Sequence, residues 1–156
     1  MNRETNSPTQ PEKILKRLTW IIVFANWVLA ISKYSSLPEQ VPIHFDWSGT
    51  PDNYGNRATI FLLPIISTVF IGWIAGLKAG ISYFRLPVNG DPKEASLMMQ
   101  ALCLAMSILF LTITWKTIEV ATGKAEVLGG WLLPFVILLI CIPTIFFLIR
   151  NFRKSK

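Results

Sequence analysis

Charge is scarce in this 156-residue chain: Asp, Glu, Lys and Arg make up 15% of it, against roughly 25% for an average soluble domain. Histidine occurs once, at His44, and cysteine only at Cys103 and Cys141. The two cysteines stand far apart inside apolar runs, which excludes a disulfide framework or a short-spaced metal motif and leaves them as small apolar side chains. No low-complexity tract is present. The centres of the apolar runs hold no ionisable residue at all. Proton and ion pathways through a membrane are usually marked by buried Asp, Glu, Lys, Arg or His, and the runs provide none.

What is abundant is apolar mass, 52% of the residues, with a mean hydropathy of +0.47. Four stretches reach or approach the about 20 helical residues that cross a bilayer core: Leu15 to Tyr34, Thr59 to Gly80, Ala95 to Ile118 and Leu128 to Ile149. The expected fold is an all-α membrane protein, four transmembrane helices with an ordered extracytoplasmic loop between the first and second. Residues 1–10 read as a mobile polar tail, 11–151 as one membrane domain with its loop at 35–57, and 152–156 as a basic tail. Pro11 followed by Glu12 suits the first turn of a helix. The apolar start resembles a secretory signal, but Ile31-Ser32-Lys33-Tyr34 offers no small-residue cleavage site, so the first segment is expected to be a retained anchor.

The basic residues are unevenly placed. Arg3, Lys13, Lys16, Arg17, Lys78, Arg85, Lys93, Arg150, Arg153, Lys154 and Lys156 fall on one side, and only Lys33, Arg57, Lys116 and Lys124 on the other. The positive-inside bias puts both termini in the cytoplasm and the 35–57 loop outside. The net charge of +6 then meets anionic lipid headgroups, and no nucleic-acid partner is expected.

Within the spans, Asn26 and Gln100 are expected to bond to neighbouring helices, and Lys116 to pair with Glu119 three residues on. Lys33 and Lys78, near segment ends, are expected to snorkel. Phe61-Leu62-Leu63-Pro64 echoes Trp131-Leu132-Leu133-Pro134, and Pro64, Pro134 and Pro143 are expected to bend or loosen their helices. Gly72, Ala75, Gly76 and Gly80 offer a small-residue face to another membrane protein.

The loop is long for a link between adjacent helices, which needs only a handful of residues. Val41, Ile43 and Phe45 alternate with Pro42, His44 and Asp46, so an extended strip should lay its apolar set on the helix ends and turn His44 and Asp46 away. Ser48-Gly49 should turn the chain. Thr50-Pro51-Asp52-Asn53-Tyr54-Gly55 reads as a cap, one helical turn and a glycine stop, with Asn56 capping the second span. His44, Asp46 and Asp52 admit several readings. One is structural, with Asp46 orienting His44 and Asp52 capping backbone amides. The others are a divalent-metal site, a general acid/base pair, and direct contact with a ligand.

The run Leu37-Pro38-x-x-Val41-Pro42-x-His44-Phe45-Asp46-x-x-Gly49-x-Pro51-Asp52-x-Tyr54-Gly55-x-Arg57 resembles the signature loop of a bacterial membrane domain of unknown function, found at the N-terminus of SdpI-type immunity proteins. Those proteins protect producer cells from a secreted killing peptide and relay its presence to a cytoplasmic repressor. Arg57 stands where lysine is expected, and full immunity proteins continue into further membrane helices. The resemblance implies a multi-pass protein of the bacterial inner membrane with an outward-facing loop. Its expected partners are the bilayer, an extracellular peptide, and a cytoplasmic or membrane protein. Ligand contact or loop ordering is expected from His44, Asp46, Trp47, Gly49, Asp52, Tyr54 and Arg57, within the motif of Leu37, Pro38, Pro42, Phe45, Pro51 and Gly55. No catalytic residue, metal or cofactor is assigned. A sensing or immunity module is the first functional expectation; a small metal-dependent membrane enzyme and an accessory subunit of a larger complex are the alternatives.

Overall fold

A computed structural model of the chain describes residues 8–81 and 92–154. Most of the expected N-terminal tail, and Arg3, Arg85 and Lys156 of the charge pattern, lie outside the described residues. Helix α1 (Gln10–Tyr34) is followed by strands β1 (Gln40–Phe45) and β2 (Pro51–Asn56), a 3-10 turn (Arg57–Phe61), and helices α2 (Leu62–Ile81), α3 (Pro92–Ala121) and α4 (Leu132–Lys154). Among the described residues, three helical stretches, Gln10–Tyr34, Arg57–Ala75 and Ala95–Ala121, are long and apolar enough to cross a membrane, and α4 contributes the apolar stretch Pro134–Phe146. The fold is therefore mostly helical but not all-α, because the connection after α1 is an antiparallel hairpin.

Local chemistry explains where the helices begin and end. At the start of α1 the Glu12 carboxylate accepts hydrogen bonds from the Thr9 amide at 2.6 Å and the Thr9 hydroxyl at 3.1 Å, satisfying donors that a helix leaves open at its N-terminus. The same carboxylate accepts from Ser96 at the start of α3, so α1 and α3 run side by side in the same direction. Gly123, at φ 71, stops α3, and the Lys124 amide returns to the Glu119 carbonyl at 2.8 Å, the bond a left-handed glycine cap provides. Pro64 and Pro134, expected to bend their helices, stand near helix starts. Each lies in a first turn, Pro64 just after the 3-10 turn and Pro134 two residues into α4, where the missing N–H leaves no helical bond unmade. Among the described residues, Pro143 is the proline that stands inside a helix.

Helix α3 is the central element, packed against α1, α2 and α4. Its buried face toward the bundle carries Gln100, Cys103, Ser107, Thr114 and Thr117, and α1 answers with Thr19, Val23, Asn26 and Ala30. Both sets recur at helical three- and four-residue spacing, and small side chains let two helices approach closely in lipid. Val23, Ile71 and Cys103 form one apolar cluster across α1, α2 and α3. Trp27 donates its indole N–H to the Thr68 hydroxyl at 2.9 Å, and Thr68 donates onward to the Pro64 carbonyl at 2.7 Å. Asn26 corrects an expectation: it is wholly buried, yet among the described residues its amide group has no hydrogen-bond partner, and neither has the Ser67 hydroxyl.

A second cluster holds the hairpin down. Leu37, Val41, Ile60 and Ile118 are buried together, with Leu29, Tyr34, Phe61 and Ala121 around them. Val41 touches no solvent. Truncating it to alanine is expected to destabilise the docked hairpin by about 2 kcal/mol, at the low end for deleting a buried aliphatic group, and to speed amide exchange through residues 40–56 in bilayer-embedded protein while the helix amides stay slow. Unchanged exchange there would show that the cluster does not hold the hairpin.

Candidate hairpin site

The two strands pair Val41 with Gly55, Pro42 with Tyr54, His44 with Asn53 and Phe45 with Pro51. Ile43 on β1 and Asp52 on β2 are each passed over in this register. A residue inserted opposite none twists the strand and re-aims its neighbours, so the simple alternation expected along β1 does not hold. Val41 and Pro42 are both buried, Ile43 is exposed, and Phe45 is half-buried. The Ile43 side chain lies across Gly55, where an added Cβ would meet its Cγ2 at 2.9 Å, so only glycine fits beneath it.

The paired bulges also exchange the expected roles of the two aspartates. His44 Nδ1 lies 2.6 Å from Asp52 Oδ1, with both side chains largely open to solvent. Asp46 takes no part in that pair. Its Oδ1 accepts from the Ser48 amide at 2.9 Å, the Ser48 hydroxyl at 2.6 Å and the Thr50 amide at 2.9 Å, and its backbone completes the turn through Asp46 N–H to Thr50 O at 2.9 Å. Asp52 orients His44, and Asp46 caps the turn. Of the segment Thr50 to Gly55, expected as a cap and helical turn, Pro51 to Gly55 lie in strand β2, since a proline that opens a helix equally opens an edge strand. Asn56 does cap, accepting from the Ala58 amide at 2.9 Å. Among the described residues no group of three His, Cys, Asp or Glu is placed to hold a metal ion.

The tip is fastened to another part of the chain, which sequence reasoning missed. Gly49, at φ 84, accepts a hydrogen bond on its carbonyl from the Leu128 amide at 2.9 Å. A Cβ on Gly49 would stand 3.3 Å from the Leu128 Cβ. The α3–α4 connection therefore grips the hairpin turn through backbone and a buried leucine, a contact for which only the glycines that follow Leu128 gave a signal. At the other end, Arg57 donates its amide to the Glu39 carbonyl at 2.9 Å and sets its guanidinium 5.2 Å from the centre of the Tyr34 ring; Tyr34 in turn meets Phe61 at 5.1 Å. Arg57 thus stacks on an aromatic platform at the base of the hairpin. Tyr54 is exposed, and Trp47 at the tip is 89% exposed. Lys116 pairs with Glu119 at 2.7 Å as expected.

Hydrogen bonds, foremost from the Ser48 hydroxyl and then from the Thr50 amide, hold the Asp46 carboxyl below the ordinary carboxylate range. Because the folded-state value is the lower one, the turn's stabilisation is complete above about pH 4, the ordinary aspartate value, and is lost as pH falls through the depressed value. Protection of the Ser48 and Thr50 amides is expected to be flat from neutral pH to about pH 4 and to decline below it. Asp46→Ala is expected to lose that protection at every pH, read by amide exchange.

Comparison with known proteins falls on this same region. Residues 21–68 match the family described as Domain of unknown function (DUF1648), a stretch running from α1 through the hairpin into α2. Over 69 residues the chain is 36% identical to an uncharacterized protein of Archaeoglobus fulgidus, covering 44% of this chain and 38% of that one. Over 55 residues it is 38% identical to the uncharacterized membrane protein YbgB of Bacillus subtilis, covering 35% of this chain and 60% of that one. The chain thus spans less than two thirds of either relative. No solved structure matches it significantly. The apolar helices and the membrane-protein relative together make this an integral membrane protein that crosses the bilayer more than once, built around a hairpin region matching DUF1648.

Proposed function

We propose that the protein is a ligand-sensing or immunity module of the bacterial inner membrane, with both termini in the cytoplasm and the hairpin outside. In this reading the hairpin contacts an extracellular peptide or other small ligand through Ile43, His44, Asp52 and Tyr54. The observation that carries it is the contrast within the hairpin: Leu37 and Val41 are buried as anchors, while Ile43, Tyr54 and the His44–Asp52 pair are left exposed on an ordered strand pair. Exposed apolar and aromatic groups beside a few polar ones are what a peptide-contacting surface needs. The basic surplus on the opposite side supports the orientation. The Gly49–Leu128 hydrogen bond supports a route inward. A ligand that favours the lifted hairpin over the docked one shifts that equilibrium by its difference in affinity, and with it the seating of α3 against α4, which a cytoplasmic partner reads.

A second reading, an accessory subunit of a larger membrane complex, has one observation of its own: Gly72 and Ala75 are exposed on α2, and nothing lies within 4 Å of a Cβ placed on Gly72. The metal-dependent enzyme has less support, because the Asp46 carboxylate is committed to the turn.

Survival of cells expressing the chain under challenge with membrane-active killing peptides tests the first reading. Wild type is expected to protect, and His44→Ala combined with Asp52→Asn to reduce protection at equal membrane abundance. No protection by the wild type would remove the immunity reading, and stoichiometric co-purification with a large membrane protein would favour the second.

A further inference from the structure

Trp47 is the most exposed large apolar side chain described in the protein, at 89%, and it does not belong to the strand pair whose surface the proposed ligand would meet. It sits two residues before Gly49, at the turn that Leu128 grips. Two residues of extended chain reach about 7 Å, and the three residues from Leu128 to Trp131 about 10 Å. Across the Gly49–Leu128 bond these reaches keep the Trp47 backbone within about 20 Å of the point where the chain enters α4 at Leu132.

The apolar stretch of α4 begins at Pro134, just past that entry point. Trp131 and Trp115 are both exposed there. Between them Lys116 stands 5.1 Å from the centre of the Trp115 ring and 5.8 Å from that of Trp131, its ammonium turned to Glu119. A lysine head above apolar helix, flanked by two outward tryptophans, is the chemistry of a membrane–water boundary: indole rings settle among headgroups because their faces are apolar and their N–H is polar. The Gly129 backbone closes the link, since a Cβ there would meet the Trp131 Nε1 at 2.7 Å.

We propose that Trp47 is a lipid-interface anchor, inserting among phospholipid headgroups beside Trp115 and Trp131 and so fastening the hairpin tip to the bilayer as well as to Leu128. The surface is continuous with the lipid-facing helices, and its occupant is the zwitterionic or anionic headgroup layer itself. The hairpin is held at three points: the buried cluster, the Leu128 clip and the lipid. A ligand meeting its strands then arrives along the membrane surface.

The test compares tryptophan emission of the wild type with that of Trp47→Phe in phosphatidylcholine vesicles. The substitution touches no buried contact, so the fold is retained, and the difference between the two isolates the Trp47 signal. That signal is expected to be quenched strongly by lipids spin-labelled at the headgroup, less by lipids labelled deep in the acyl chain, and little by aqueous iodide. Quenching by iodide and not by headgroup labels would put the tip in water and overturn the proposal. Resistance to both would show Trp47 covered by protein, a second copy included, and would overturn it equally.

Discussion

Leu37 and Val41 bury their side chains against Ile60 and Ile118, and the character of the whole connection follows from that contact. A two-stranded hairpin alone in water is at best marginally stable. Here one end of β1 is drawn into the joint between α1, the 3-10 turn and the end of α3, so the hairpin takes its stability from the helices. Without that anchor, the His44–Asp52 pair, exposed on both partners, would contribute little, as surface ion pairs generally do. The same contact accounts for the length of the loop: the chain must leave α1, reach across to the end of α3, turn beside Leu128, and return to start α2.

The turn has its own balance of donors and acceptors. Asp46 gathers two amides and a hydroxyl, Gly49 turns at positive φ, and the carbonyl of Gly49 is taken up by the Leu128 amide. These polar groups of the tip are paired within the protein, which leaves Trp47 to face outward without disturbing the turn. The two ends of the hairpin are thus held by different forces, apolar burial at the base and backbone hydrogen bonding at the tip. A surface held in that way can be ordered and still be released locally, because the tip depends on few bonds.

The membrane helices were legible because an apolar run of about twenty residues matches the thickness of a bilayer core and exceeds what a small soluble core can bury, and the ends of the first three fall within a few residues of where hydropathy put them. The fourth helix begins later than hydropathy put it, at Leu132, because Leu128 belongs to the grip on the hairpin. The hairpin's burial and its turn at Gly49 were also legible, from apolar residues in a loop and from the glycine. Its detail was not. A period of two carries no mark of the bulges at Ile43 and Asp52, and those bulges decide which aspartate meets His44. Pro51 with Gly55 fits a short helix as well as an edge strand by local propensity, and only pairing with β1 separates the two. A partner for Asn26 is the ordinary expectation because buried amides generally find one; the hydroxyls of α3 turn instead to their own helix carbonyls, as Ser107 does to Leu104 and Thr114 to Phe110.

The central claim is that the hairpin lies docked on the helix ends with its turn against the α3–α4 connection. Spin labels at Thr50 and Glu126, introduced through cysteines in a chain with Cys103 and Cys141 replaced, test it most directly by pulsed dipolar spectroscopy in bilayers. The docked hairpin gives one narrow distance distribution at the short end of the measurable range. A broad distribution centred at long distances, unchanged by Gly49→Pro, would mean that the hairpin stands free of the helices and would contradict the account.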